Sequence, residues 1–171
     1  MSSTIRPDNL KAALDAKVAA AMAQLGELRE SEQPRITPHL SPRELVRAFL
    51  LYARGIYAVA STLGRAQAGE LQFNAWYERW EKALSDADRA LWREFRPDHV
   101  HHEGGQEAGL IDVEIPVATD SAQNAAPGAQ KRIVRFAAHA DRAASAVCYD
   151  YLRLSRQFAS DFVRDHARFV K

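Results

Sequence analysis

The sequence contains little cysteine and no long apolar run, and each absence excludes a class of protein. Its 171 residues include one cysteine, Cys148, so no disulfide within the chain is possible and a reducing, cytoplasmic location is expected. No apolar run approaches the roughly 18 residues that span a bilayer, so we expect no association with a membrane. The first residues also lack the apolar stretch of a secretory signal.

The sequence also lacks an excess of positive or negative charge, and it lacks the well-known motifs for catalysis and cofactor binding. Lys and Arg total 23 against 22 Asp and Glu, so net charge does not indicate a nucleic acid or an anionic membrane as partner. No glycine-rich phosphate loop, nucleophile elbow or zinc-finger spacing occurs, and we expect no cofactor. The composition is that of a globular protein, 47% hydrophobic and 26% charged. The length predicts one domain over residues 1–171.

Helical periodicity governs the first part of the chain. Residues Pro7 to Glu30 predict an amphipathic helix. Its apolar stripe consists of Leu10, Leu14, Val18, Met22, Leu25 and Leu28. Residues 41–44, SPRE, have the capping-box spacing, which predicts a second helix that reaches about Ala66. Gly55 inside that helix indicates a close helix crossing, and Gly69 marks the break after it.

Two shorter helices rich in aromatic residues follow. The first spans residues 72–84, QFNAWYERWEKAL, and the second is capped near Ser85 and ends at Pro97. Their bulky side chains are predicted to pack as a wedge against the long helices, with a base-stacking platform as the alternative. The largest of these side chains are Trp76, Trp80 and Trp92.

The last part of the chain combines strands with one long helix. Residues 110–117 alternate apolar and acidic residues and predict a strand, with residues 131–136 as its partner. The segment 119–130 between them is predicted to be the most mobile internal stretch. A helix of about 30 residues starts at Ala144. The chain is therefore predicted to be mainly α, an up-down bundle of four to five helices with a β-hairpin inserted at about 109–137.

Two residues of the C-terminal helix are assigned structural roles. Cys148 lies beside Val147 on the apolar stripe, which predicts a buried thiol rather than a nucleophile. His166 lies near the C-terminal end of the helix, where an imidazole suits the helix dipole, so we predict that it lies on the surface. Neither residue is expected to take part in chemistry.

Three of the six histidines fall within four residues, in the stretch RPDHVHHEG over 96–104. This density of imidazole beside carboxylates and an arginine marks the region as the candidate functional site. One interpretation is a metal-binding helical bundle, because imidazole nitrogen and carboxylate oxygen are ligands for zinc, nickel or iron. The ligands would be His99, His101, His102 and Glu103.

The block from Leu45 to Gly104 also resembles a known family. A helix containing FLLYARGIYAVASTL is followed by FNAWYERWEKAL, a short aspartate-containing turn, ALWREFR and HHEG. This order resembles bacterial HEPN-like proteins, in which a helix with an AAR segment precedes an F-x-x-W-Y turn, and an Arg-Asn-x-x-x-His-type motif closes on His-Glu-Gly. The resemblance covers about a third of the chain. Pro97 stands where the family usually has a polar residue, so the motif helix is predicted to break there.

The resemblance implies a homodimer in which Arg and His side chains of both protomers share one cleft. Many HEPN proteins are metal-independent RNases, and others are non-catalytic modules that bind nucleotides or proteins. A role in defence or as a toxin would fit this family. On this scheme Arg96 holds the RNA phosphate, and His101 or His102 is the acid or base. Arg93 and His99 would support them.

Two further interpretations of the region stay open. The cluster has no chemistry if Arg96 pairs with Asp98 or Glu94 at a solvated helix end and the histidines form an exposed turn. Alternatively, the protein is a non-enzymatic protein-interaction module whose hairpin and loop 118–130 contact a partner. These interpretations differ in whether the arginine and histidine side chains converge.

The apolar stripes favour a homodimer independently of any family. The stripes over residues 45–63 and 144–169 carry more bulky side chains than one antiparallel helix would cover. Trp76, Trp80 and Trp92 add further apolar area, and this surplus predicts a two-fold interface. If the resemblance holds, the segments 96–102 of both protomers lie near the axis.

Overall fold

Five α-helices and one β-hairpin make up the part of the chain that the structure describes. This computed structural model describes residues 7–33, 40–96, 109–116 and 130–166. The elements in chain order are α1 (Pro7–Glu32), α2 (Pro42–Ala68), α3 (Glu70–Ala83), α4 (Asp86–Phe95), β1 (Leu110–Pro116), β2 (Gln130–Phe136), a short 3-10 turn (Ala137–His139) and α5 (Ala144–His166). The predicted mainly α bundle with an inserted hairpin is confirmed.

The long helices α1, α2 and α5 form the frame of the bundle. Helix α2 packs along α1 and also contacts α3 and α5, while α4 packs against α5. Glu32, at the end of α1, accepts a hydrogen bond at 3.0 Å from the backbone N–H of Ser145, at the start of α5. Helices α1 and α5 therefore run antiparallel to each other. None of the helices in the described ranges is long and apolar enough to cross a membrane.

The helix boundaries follow the capping chemistry that the sequence predicts. The Ser41 hydroxyl accepts from the N–H of Glu44, and the Ser41 N–H donates to the Glu44 carboxylate at 2.8 Å, which completes a capping box at the start of α2. The Ser41 hydroxyl donates to the Glu44 carboxylate at 2.7 Å, and this hydrogen bond and that from the Ser41 N–H lower the pKa of Glu44. Ser85 caps α4 through the N–H of Asp88. Gly69 ends α2 with a φ of 85°, a conformation that favours glycine.

The aromatic residues of α3 and α4 pack inside the bundle against α5. Trp76, Trp80 and Trp92 are all buried, and the ring centroids of Trp80 and Trp92 lie 4.9 Å apart. Phe158 of α5 lies 5.0 Å from the Trp80 ring. The predicted wedge is confirmed, and burial of these rings excludes their use as a base-stacking platform. The three tryptophans also bury their area within the chain, so they supply no surplus for a two-fold interface.

The approach at Gly64 is closer than the one expected at Gly55. The nearest atom to a Cβ added to Gly55 would belong to the flexible side chain of Lys17 on α1, at 3.3 Å. A Cβ at Gly64 would lie 2.4 Å from the ring of Phe73 and 3.1 Å from that of Phe162. The absence of a side chain at Gly64 therefore lets α3 and α5 pack their rings onto α2.

The hairpin pairs as predicted and lies against the bundle. β1 and β2 are antiparallel, with Leu110 opposite Phe136 and Pro116 opposite Gln130. Phe136 packs edge-on against Phe95 at a centroid distance of 4.9 Å, and Arg43 of α2 donates to the carbonyl oxygen of Leu110 at 3.2 Å. These contacts join the hairpin to α2 and α4. The connecting loop that we predicted to be mobile lies, except for residue 130, outside the described residues.

Two predictions about individual helix residues are wrong. His166 is buried, with only 2% of its surface exposed, because it packs against the ring of Phe162 at 5.2 Å rather than facing solvent. Met22, which the apolar stripe of α1 predicted to be buried, is 50% exposed, and Ala21 is buried beside it. Cys148 is buried as predicted.

Candidate functional sites

The structure places only two of the five predicted site residues. Arg93 lies in the last turn of α4, and Arg96 is the residue directly after that helix. His99, His101 and His102 lie outside the described residues, as does Glu103. The expected convergence of arginine and histidine side chains therefore stays a prediction. The surroundings of the two arginines define what they do within the bundle.

Arg93 forms a bidentate ion pair with Glu81 of α3. Its Nε and Nη2 donate to the two carboxylate oxygens at 3.1 and 3.0 Å. The carboxylate is mostly buried, whereas the arginine side chain is about half exposed. The hydrogen bonds from Arg93 are the main cause that lowers the pKa of Glu81, so this carboxylate stays ionised. The pair joins α3 to α4.

Arg96 binds a second group on α3, the hydroxyl of Tyr77. Its Nη1 donates to that hydroxyl at 3.0 Å and lies 3.8 Å from Glu81 Oε1. Trp92 Nε1 donates to the same hydroxyl at 2.7 Å. Burial raises the pKa of Tyr77, so the phenol stays neutral. Arg96, Tyr77 and Trp92 thus form one hydrogen-bonded group beside the Glu81 ion pair.

The Glu81 cluster, by which we mean Glu81, Arg93, Arg96 and Tyr77, has a clear structural role. It contradicts the expectation that Arg96 pairs with Glu94, because Glu94 contacts His139 at 2.9 Å instead. Asp98, the other expected partner, lies outside the described residues. A phosphate on Arg96 would compete with the Glu81 carboxylate and the Tyr77 hydroxyl. The cluster therefore fixes the end of α4 against α3.

A third arginine, which the sequence analysis missed, holds the same helix end from α2. Arg54 is 8% exposed, and its Nε donates to the carbonyl oxygen of Phe95 at 2.7 Å. The Tyr151 hydroxyl donates to that oxygen at 3.3 Å. Burial lowers the pKa of Arg54, and within the described residues no carboxylate pairs with it. Arg54 lies four residues after Leu50, on the buried face of α2, and this helical spacing was the sequence signal for its burial.

The second candidate site is a groove between α1 and α5. This α1–α5 groove extends from Lys11 to Arg29 on α1 and from Tyr149 to Val163 on α5, with a volume of about 680 Å³. The apolar residues that line it are buried or partly buried, apart from Met22 and Tyr149 at its edges. They include Leu14, Val18, Leu25, Leu152, Ala159 and Val163. The groove thus has an apolar floor and is partly open to solvent.

The edges of the groove carry more basic than acidic side chains. The basic ones are Lys11 and Arg29 on α1 with Arg153 and Arg156 on α5, and Asp15 is the acidic one. The Arg29 guanidinium lies over the ring of Tyr149, 5.1 Å from its centroid. The groove therefore combines an apolar floor with positive edges.

Gly26 lies in the groove, and no described residue gives a packing reason for it. A Cβ added there would have no described atom within 4 Å other than its own helix and neighbours. A glycine in a helix interior costs about 1 kcal/mol relative to alanine. The sequence signals for the groove were this glycine and the wide apolar face of α5, which we had assigned, together with that of α2, to a two-fold interface.

Metal binding gains no support from the described residues. No group of three His, Cys, Asp or Glu side chains in those ranges could hold a metal ion. The histidine set that we considered, His99, His101 and His102 with Glu103, falls outside them. The metal-binding interpretation therefore stays an untested prediction.

Comparison with known proteins identifies no relative. No protein-family model matches the chain, and neither a curated protein nor a solved structure matches it. The resemblance to HEPN-like proteins accordingly stays a prediction from the sequence, and the function has to be argued from the two sites themselves.

Proposed function

We propose that this protein is a protein-interaction module that binds an amphipathic α-helix of a partner protein in the α1–α5 groove. The observation that carries the proposal is the groove itself, an open channel of about 680 Å³ with an apolar floor between two long helices. Amphipathic helices bind in such grooves with their apolar face on the floor and their polar face in water. The hairpin, which we first considered as the contact surface, packs against the bundle through Phe136.

The dimensions of the groove suit a helix. The lining spans residues 11–29 of α1 and 149–163 of α5. At 1.5 Å of rise per residue these stretches are about 27 and 21 Å long. A partner helix of four to five turns, about 14 to 18 residues, would lie along the groove parallel to its walls.

The exposed residues at the groove are of types that bind partners. Met22 and Tyr149 are each about half exposed although both are large and hydrophobic. Methionine adapts its shape to a partner surface, and tyrosine and arginine are enriched among residues that dominate binding energy. Gly26 leaves room for the backbone of a second helix to approach α1. These features support binding of a helix rather than of a small molecule.

The experiment is selection of helical peptides against the full-length chain. A displayed library of peptides of about 18 residues would carry leucine at helical spacing, with the flanking positions randomised. We expect selected peptides to lose binding to Gly26→Trp, which fills the groove, and to Met22→Asp, which places a charge at its edge. Leu71→Trp is the matched control, because Leu71 is 86% exposed on α3 and outside the groove. Recovery of peptides that bind Gly26→Trp and Met22→Asp unchanged would refute the proposal.

A metal-independent RNase in a defence or toxin role is the second candidate function. The observation in its favour is that Arg93 and Arg96 lie together at the end of α4, directly before the segment that contains the three histidines. Both arginines make hydrogen bonds to α3, which is why we place this function second. Its chemistry would use Arg96 for the phosphate and His101 or His102 as acid or base.

RNA cleavage in the presence of a chelator, together with sedimentation, tests the RNase. The proposal expects a homodimer of about twice 19.1 kDa and cleavage that Arg96→Ala and His101→Ala both abolish without dissociating the dimer. Arg79→Ala, an exposed substitution on α3, is the control. A monomer that leaves RNA intact would remove this candidate and leave the protein-interaction function standing.

A further inference from the structure

We propose that the partner helix is acidic, with Glu or Asp on both flanks of its apolar stripe. This inference rests on the proposed function, because it names the chemistry of the helix that the α1–α5 groove binds. It depends on the distribution of charge along the groove edges rather than on the apolar floor. The acidic-partner inference can therefore fail while the helix-binding function holds.

Two of the four basic side chains at the groove have no acidic partner in the part of the chain that the structure describes. Lys11 pairs with Asp15 at 2.6 Å, and Arg153 pairs with Asp88 of α4. Arg29 and Arg156 form no ion pair with any carboxylate in the described ranges. These two guanidinium groups can each bind a carboxylate in the fork geometry that arginine favours. A partner with negative flanks would supply those carboxylates.

The positions of the two arginines fix the spacing of the acidic residues. Arg29, on the α1 edge, lies over the ring of Tyr149 of α5, and Arg156, on the α5 edge, is seven residues after Tyr149. Seven residues of helix are about 10 Å, or two turns. The partner helix should therefore carry one carboxylate on each flank of its stripe, separated by about two turns.

The same charges disfavour a second copy of this chain in the groove. A symmetric dimer that joined two α1–α5 grooves would bring Arg29 and Arg156 of both copies close to each other. Like charges at an interface cost free energy unless anions separate them. An anionic membrane would meet the basic edges but not the floor, because a flat surface cannot enter a channel between two helices. An acidic helix satisfies the floor and the edges together.

Matched peptides test the inference. The tightest groove-dependent peptide from the selection would be made in three forms, with Glu, Gln or Lys at the two flanking positions. Their affinity for the full-length chain would be measured by fluorescence anisotropy at low and high salt. We expect the Glu form to bind about tenfold tighter than the Lys form at low salt, and less so at about 1 M salt.

Arginine variants then assign the preference to the groove edges. Arg29→Gln and Arg156→Gln should each weaken the Glu peptide about threefold and leave the Gln peptide unchanged. Arg79→Gln, an exposed arginine on α3 outside the groove, is the matched control and should change neither. Circular dichroism of each variant would establish that the bundle is folded.

The outcomes separate the inference from the proposed function. Equal binding of the three peptide forms, all blocked by Gly26→Trp, would overturn the acidic partner and leave the helix-binding function intact. No groove-dependent binding by any form would overturn both. A dimer that Gly26→Trp abolishes, or binding to phosphatidylserine vesicles that Arg156→Gln abolishes, would overturn the inference in favour of a second copy or a membrane.

Discussion

Glu81 and Arg93 join α3 to α4 through two parallel hydrogen bonds, 3.1 and 3.0 Å long, between carboxylate and guanidinium. The Glu81 carboxylate is mostly buried, whereas the Arg93 guanidinium is partly exposed to water. The carboxylate therefore needs the ion pair more, because it has less water to stabilise its charge. Arg96 lies 3.8 Å from the same carboxylate, so two cations share one anion. Removal of Glu81 would leave both cations without that compensation, whereas removal of either arginine would leave the other in place.

Glu81→Gln should therefore destabilise the bundle. The amide is neutral and cannot accept both hydrogen bonds from Arg93 while it also faces Arg96. We expect a loss of about 1 to 3 kcal/mol in the free energy of unfolding, reduced from a fully buried pair because Arg93 is exposed to solvent. Urea denaturation would measure it. Glu78→Gln, an exposed substitution on the same helix, should change stability by less than about 0.5 kcal/mol; equal effects of the two would contradict the role of the cluster.

The sequence predicted the bundle well because its signals are local. The Ser41 capping box, the Gly69 break and the strand pairing each follow from a few adjacent residues. The contacts of Arg96 with Tyr77 and of Arg54 with Phe95 join residues 19 and 41 positions apart. No periodicity encodes which side chains meet at that range, so the sequence could mark the arginines but not their partners.

The groove was missed for a related reason. The apolar stripes on α1 and α5 show that these helices bury one face, but not whether that face lies against another helix of the chain, a second copy or a partner. Only the structure shows that Trp92 is buried inside the bundle and that Met22 is exposed at the groove. Gly26 was informative once its surroundings were known to be open.

The Cys148 thiol should be inert in the folded protein. It is buried in the core, and burial raises the pKa of the thiol well above its ordinary value, so almost no thiolate forms near neutral pH. We expect a thiol reagent to modify Cys148 only as fast as the protein opens. The modification rate should rise along the urea unfolding curve and match it. Stoichiometric labelling within seconds under native conditions would contradict this prediction.

The buried His166 should make the protein less stable in mild acid. Burial lowers the pKa of its imidazole below the ordinary value of 6.5, and neither ring nitrogen has a hydrogen-bond partner among the described residues. As the pH falls through 6.5, the unfolded chain takes up a proton that the folded chain resists. The free energy of unfolding should then decrease by at most about 1.4 kcal/mol per pH unit until the folded imidazole also titrates.

Leucine at position 166 separates this effect from the titration of carboxylates. His166→Leu cannot take up the proton, so its stability should be flatter than that of the parent chain between about pH 7 and 5. Urea denaturation at several pH values would compare the two slopes. Identical slopes would show that His166 is protonated equally in the folded and the unfolded chain. The burial of His166 would then not make the free energy of unfolding depend on pH.

Alanine at Gly64 and at Gly26 should change stability in opposite directions. At Gly64 the new methyl group would lie 2.4 Å from the ring of Phe73, so α2 and α3 must shift apart, and we expect a loss of about 1 to 3 kcal/mol. At Gly26 it would meet no described atom within 4 Å outside its own helix and neighbours, and alanine favours the helix by about 1 kcal/mol, so the free chain should gain stability. Thermal melting of both variants would measure the two effects.

If a partner helix occupies the α1–α5 groove, Gly26→Ala should weaken the binding of that helix while it stabilises the free protein, because the added methyl group occupies the space where the partner backbone approaches. A variant that is more stable and binds the selected peptides more tightly would contradict that assignment of Gly26.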